Sequence, residues 1–175
     1  MKDIGIFFGS DTGNTEKIAK YIQSEFGKHI SNVHDIADSK REDIERYSVI
    51  LLGTSTWYYG ELQCDWDDFS SILKKTDFSK KTVAFFGCGD QEDYSEYFCD
   101  GIGILFNMIK TSHIHFVGKW PIQGYCFENS KALYDNQQFL GLIIDEDRQP
   151  EKSKKRVNTW VQQLKRELQN KKILY

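Results

Sequence analysis

Short apolar runs alternate along this chain with longer amphipathic stretches, and that rhythm restricts the fold more than any other feature. The runs fall at 4–8, 48–52, 82–86, 114–117 and 139–144, with a weaker one at 32–36, each bounded by turn residues. Between them the spacing predicts helices over 16–26, 41–47, 66–73 and 94–109. A last helix is predicted over 156–168, where Val157, Trp160, Val161, Leu164 and Leu168 make one apolar stripe. Strands that alternate with helices pair in parallel through right-handed crossovers, which covers the sheet on both faces. The expectation is a doubly wound α/β fold, with 175 residues making a single domain over 1–175. The stretch 118–138 breaks the rhythm. It holds Pro121, Gly124 and four aromatics without a period, and reads as a structureless excursion inserted within one edge strand.

Composition removes several function classes. No apolar run reaches the roughly 20 residues that cross a bilayer, and Met1-Lys2-Asp3 leads into a strand rather than a signal peptide, so a cytoplasmic protein without a membrane role is expected. Cys64, Cys88, Cys99 and Cys126 form no C-x-x-C pair and meet no His at zinc spacing, and His29, His34, His113 and His115 share no motif. Reduced thiols and no metal are expected. Net charge is −3, but residues 57–100 carry ten acids against four lysines, while 150–175 carry eight bases against two acids. An acidic side repels nucleic acid and favours a basic protein partner.

In an open parallel sheet, ligands sit beyond the carboxyl ends of the strands, so the loops that follow strands matter most. The first is Gly9-Ser10-Asp11-Thr12-Gly13-Asn14-Thr15, ahead of a helix. Unpaired N–H groups and the positive dipole end at a helix start favour an anion, and Ser10, Thr12, Asn14 and Thr15 add side-chain donors. Its glycine spacing fits neither a nucleoside-triphosphate loop nor a dinucleotide fingerprint, and a phosphate monoester suits it. The second loop, Gly53-Thr54-Ser55-Thr56-Trp57-Tyr58-Tyr59-Gly60-Glu61, carries three large aromatics that must cover the core, a partner or a flat ligand. The third, Gly87-Cys88-Gly89-Asp90-Gln91-Glu92-Asp93-Tyr94-Ser95-Glu96-Tyr97, lets a backbone approach a heterocycle's edge. Together the three imply a flat ring with a phosphate tail.

These loops, with Gly141-Leu142-Ile143-Ile144-Asp145-Glu146-Asp147, carry a resemblance that runs from Ile4 to Leu168: the chain resembles a long-chain flavodoxin of the bacterial type. The resemblance implies a five-stranded parallel sheet in the order 2-1-3-4-5, one noncovalent FMN, and 118–138 as the insertion that marks long-chain members. By position, Ser10, Asp11, Thr12, Gly13, Asn14 and Thr15 would bind the phosphate. Trp57, in the stretch Ser55, Thr56, Trp57, Tyr58, Tyr59 and Gly60, would cover one ring face. Tyr94 would stack on the other, with Tyr97 as second choice. Main-chain groups of Cys88, Gly89, Asp90 and Cys99 would read the pyrimidine edge, and Asp147 would approach the ribityl hydroxyls.

The function implied is that of a low-potential one-electron carrier rather than an enzyme, with no catalytic residue of its own. Aromatic walls and acidic surface would make a reduced, anionic ring costly. A backbone carbonyl, here at the Tyr58–Tyr59 peptide, would turn toward the ring nitrogen that gains a proton. Ser55, where many relatives carry Pro, is expected to loosen its loop. Partners would be redox proteins such as a flavodoxin/ferredoxin-NADP reductase and acceptor enzymes, which meet a monomer on an acidic face that includes Glu61, Asp65, Asp67, Asp68, Glu92, Asp93 and Glu96. The rival is an FMN-dependent NAD(P)H:quinone oxidoreductase of related fold. A signalling receiver domain is disfavoured because Gly53-Thr54 stands where its acceptor Asp would be.

Overall fold

The computed structural model describes residues 3–110 and 113–171. Its central sheet begins with β1 (Ile4–Phe8), whose five residues are all buried, followed by α1 (Asn14–Phe26) and the edge strand β2 (Ser31–Asp35). A short helix α2 (Arg41–Glu45) leads into β3 (Val49–Trp57), which turns back on itself through β4 (Glu61–Leu62) and enters α3 (Cys64–Leu73). Next come β5 (Thr82–Cys88), α4 (Asp100–Ile109) and β6 (His115–Phe116). A hairpin of β7 (Trp120–Pro121) and β8 (Gln138–Phe139), then β9 (Gly141–Ile144) and α5 (Ser153–Asn170), complete the chain.

The sheet runs β2-β1-β3-β5, and the outer side of β5 is shared by two short strands. Thr82 and Val83 pair in parallel with His115 and Phe116 of β6, while Phe85 to Cys88 pair in parallel with Gly141 to Ile144 of β9. Those pieces are one fifth strand cut in two, so counted by its main strands the order is the expected 2-1-3-4-5. Helices α1 and α5 pack side by side on one face and α3 meets α4 on the other. Between the layers Phe7, Phe85, Phe86, Trp66 and Trp160 are fully buried, each contributing roughly 1.5–3 kcal/mol by leaving water.

Three expectations are corrected. The insertion is not structureless: Trp120 pairs with Phe139 in an antiparallel hairpin, and Phe98, Tyr125, Phe127 and Phe139 stack into a small aromatic core with centroids 5.3–6.2 Å apart. The run 139–144 is split at Leu140, whose N–H donates to Ala132 O at 2.7 Å before the chain enters the main sheet. The helix expected from 94 begins only at Asp100. Residues 94–99 are drawn toward the insertion instead: Glu128 and Asn129 both donate N–H to Ser95 O at 3.0 Å, Phe98 N–H donates to Asn129 O at 3.2 Å, and Ser130 Oγ donates to Phe98 O. Ring burial and these bonds outweigh local helical periodicity.

Candidate functional site

The carboxyl ends of β1, β3, β5 and β9 open on a cleft of about 300 Å³. Thr12 and Asn14 enter it from the first loop, Ser55, Thr56 and Trp57 from the second, Cys88, Gly89, Asp90, Asp93 and Tyr94 from the third, and Asp147 from the end of β9. Residues up to 135 positions apart in sequence thus meet at one rim, as parallel topology requires.

The first loop presents a helix start without a cap. Gly13 adopts φ 89°, the left-handed region that favours glycine, and no side chain accepts from the first N–H groups of α1. Ser10 Oγ accepts Gly13 N–H at 3.1 Å, which shapes the loop and leaves the serine proton free to donate. Thr15 Oγ1 is fully buried without a hydrogen-bond partner: the Cys88 thiol lies beside it but falls short of hydrogen-bond geometry. A buried hydroxyl left in that state is costly unless a ligand satisfies it. Asp11 turns away, with its Oδ1 accepting from Gln63 Nε2 at 3.2 Å and from Cys64 Sγ at 3.4 Å, so from this residue only the backbone remains for an anion.

The second loop is more ordered than its sequence suggests. The strand continues to Trp57, and Ser55, expected to loosen the chain, pairs with Cys88 in the ladder while its Oγ accepts the Trp57 indole N–H at 3.0 Å. Thr56 Oγ1 accepts Gly101 N–H at 2.9 Å. Trp57 to Gly60 form a tight turn closed by Gly60 N–H donating to Trp57 O at 3.1 Å, with Tyr58 held at φ 46° and Gly60 at φ 86°. A tyrosine in the left-handed region is strained.

Trp57 and Tyr94 both line the cleft, and each also borders a separate hollow. Beyond Trp57 lies one lined by Asp11, Glu61 and Cys64, and beyond Tyr94 one lined by Tyr59, Tyr97 and Glu128. Tyr97 does not reach the cleft. It packs edge to face on Tyr59 at 6.1 Å, and of the two tyrosines it is Tyr94 that lines the cleft. Tyr58 and Tyr59 stand at the rim, 67% and 79% exposed.

The third loop is stitched together from remote parts. The Asp145 carboxylate, fully buried, accepts Gln91 N–H at 3.1 Å, Gln91 Nε2 at 2.8 Å, Asp147 N–H at 3.1 Å and Arg148 N–H at 2.8 Å. Gln91 Oε1 in turn accepts Cys126 N–H from the insertion at 2.7 Å. Arg148 grips Asp90 with two nitrogens at 3.0 Å and reaches Asp93 at 2.7 Å and Glu92 at 3.2 Å. Burial pushes the Asp90 carboxyl up, but Arg148 and the amides of Asp93 and Glu92 outweigh it and hold it below its ordinary value. Burial, with Asp90 and Asp145 nearby, raises the Asp147 carboxyl.

Two main-chain assignments are refined. Gly89 N–H already donates to Ile144 O at 3.1 Å, so its amide is not free for a ring edge. Cys99, in the left-handed region at φ 56°, sits buried behind Gly89 rather than in the cleft. Burial pushes the Cys88 thiol up to about 12 and the Cys99 thiol well above its ordinary value, which leaves both unreactive. Asp11, Cys64 and Asp65 place ligand-type atoms within 4.8 Å of one another, but Gln63 Nε2 already occupies Asp11 and, at 2.6 Å, Asp65. Sequence reasoning missed Gln63, Gln91, Asp145 and Arg148, which touch loops rather than the cleft. For Asp145 a signal existed, an acid at a strand end followed by a second two residues on.

The chain matches the family model described as Flavodoxin over residues 6–160. It is 58% identical to Flavodoxin 1 of Escherichia coli strain K12 over 99% of both chains, and 60% identical to a flavodoxin of Buchnera aphidicola subsp. Baizongia pistaciae over 96% of this chain and 97% of that one. Among solved structures, a Fusobacterium nucleatum flavodoxin bound to flavin mononucleotide superposes with a TM-score of 0.89 at 30% identity, covering 95% of this chain and 99% of that one.

Proposed function

This chain belongs to the flavodoxin family, carriers of electrons on FMN rather than enzymes, and we propose that its cleft holds one FMN by the phosphate at the first loop, with the ring between Trp57 and Tyr94. The observation that carries this reading is the orphaned Thr15 hydroxyl at an uncapped helix start, beside a cleft lined by the aromatics Trp57 and Tyr94. A phosphate supplies the acceptor that both lack. When bound, the flavin supplies one-electron chemistry, and the chain's own residues set its potentials. Trp57 and Tyr94 exclude water from the ring faces, and the Tyr58–Tyr59 peptide offers a carbonyl at the rim. Main-chain groups of Cys88 and Asp90 read the ring edge, while Asp147 approaches the ribityl chain. The surrounding carboxylates disfavour negative charge on the ring, which makes the carrier a low-potential one.

Basic redox proteins, such as a flavodoxin/ferredoxin-NADP reductase, would dock on the exposed rim. Glu61, Asp67 and Glu96 are exposed there around Tyr58 and Tyr59, which offer apolar anchorage, and Asp68 is exposed on the same helix as Asp67. Glu92 and Asp93 contribute less, since Arg148 neutralises part of their charge. Among the described residues no helix is long and apolar enough to cross a membrane, and the four cysteines are free, which supports a reducing cytoplasmic setting. The test is spectroscopic and kinetic. The FMN-loaded protein should show flavin absorption and take electrons from NADPH only when a reductase is added. Rapid unaided oxidation of NADPH would favour the quinone reductase instead.

A further inference from the structure

The first turn of α4 lies between the rim turn and the insertion, in contact with both. On one side Gly101 N–H donates to Thr56 Oγ1 at 2.9 Å, and a Cβ at Gly101 would come within 2.8 Å of Ser55 O. On the other, a Cβ at Gly103 would come within 2.1 Å of Lys131 O, so helix and insertion touch backbone to backbone. Between them Asp100, only 2% exposed, divides its carboxylate. Oδ1 accepts Lys131 N–H at 2.7 Å, while Oδ2 pairs with Lys131 Nζ at 3.2 Å and stands 2.6 Å from where a Gly60 Cβ would be. Gly60 closes the turn that holds Tyr58 in its strained conformation.

From this juxtaposition we infer that Asp100 is a positioning residue for the Trp57–Gly60 turn, and that Lys131, reaching in from the insertion, locks it there. The insertion thereby tunes electron transfer without contacting the cofactor cleft. A buried carboxylate held by a backbone donor and an ammonium has little freedom to move. The turn packed against it is restrained in its present form, and a rearrangement of the Tyr58–Tyr59 peptide during one-electron reduction works against that restraint. The effect on potentials rests on the FMN reading above, whereas the clamp itself does not.

The deciding variant is Asp100→Asn/Lys131→Met, which removes both charges together and so leaves the net charge unchanged. In the FMN-free protein, exchange of the Gly60 amide should accelerate at least about tenfold, while amides of β1 stay unchanged. In the loaded protein, oxidised FMN should bind within about threefold of wild type. The first one-electron step should become easier by about tenfold, a rise of about 59 mV. Equal weakening of every redox state, or an unchanged Gly60 amide, would overturn the inference. If the double variant does not fold, Lys131→Met decides by the same exchange measurement, because it keeps the Lys131 N–H bond to Asp100 and loses only a side chain 57% exposed. If the wild-type chain binds no FMN, the functional reading fails, while Gly60 exchange still tests the clamp.

Discussion

The first and third loops of the cleft are built in opposite ways. Residues 9–15 are shaped mainly from within: Ser10 shapes the turn, Gly13 starts the helix and the donors follow within two positions, while remote contacts reach Gly9 and Asp11. Residues 88–99 depend on distant partners: Asp145 and Arg148 from beyond β9, Cys126 and residues 128–130 from the insertion. A contiguous binding loop can lose one side chain and keep its shape, whereas a stitched one loses shape and binding together. On the proposed placement, the cofactor's charged tail meets the part that leans least on distant partners, and its ring meets the part whose geometry the rest of the molecule sets.

The sharpest break in that contrast is Asp145→Ala. It strands four N–H donors, and should cost about 3 kcal/mol or more in urea unfolding of the FMN-free protein while also weakening FMN binding. Thr15→Val should separate the two properties. Losing one donor to a dianion weakens FMN binding about 10- to 100-fold by fluorescence titration, yet the FMN-free protein should be as stable as before or more so, since an unsatisfied hydroxyl is gone. Coupled losses in both variants would erase the distinction between the loops.

A smaller effect is expected for Arg148→Met. Because the folded Asp90 carboxyl sits below its ordinary value, its contribution is present above the unfolded value near 3.8 and disappears as pH falls through the folded one. Without Arg148 that contribution shrinks, so the midpoint of acid unfolding should move to higher pH. The smallest effect is a control outside both loops. His34, stacked on Phe7 at 4.8 Å and hydrogen-bonded with Tyr47 Oη at 2.8 Å, is lowered by burial. Wild-type stability should therefore decline as pH falls from about 6.5 toward its folded pKa, where His34→Gln shows no such slope; the difference should be about 1–2 °C in Tm. FMN affinity should stay the same in both.

The same contrast explains what the sequence makes legible. The alternation of strands and helices, the interruption of the edge strand and the first loop rest on local periodicity and contiguous donors, which a reader of the chain can see, whereas the strand order comes from the family resemblance. The run 94–109 carries helical periodicity throughout, yet its first six residues obey Ser95 and Phe98 contacts made about 30 positions away. Ser55 reads as a loosening substitution because its partner, the Trp57 indole, becomes evident only once the strand is seen to continue. Arg148 and Gln91 are ordinary polar residues until topology brings the loops together, and no spacing rule announces them.

Titration of one FMN-free preparation with FMN and with riboflavin tests the central claim most directly, since the two ligands share the ring and differ by the phosphate. The first loop predicts FMN binding tighter by at least about a hundredfold, as expected for two or more charge-assisted hydrogen bonds, and predicts that Thr15→Val narrows the gap. Equal affinities for the two would mean that the ring alone is recognised, and would contradict the assignment of residues 10–15 as the phosphate site.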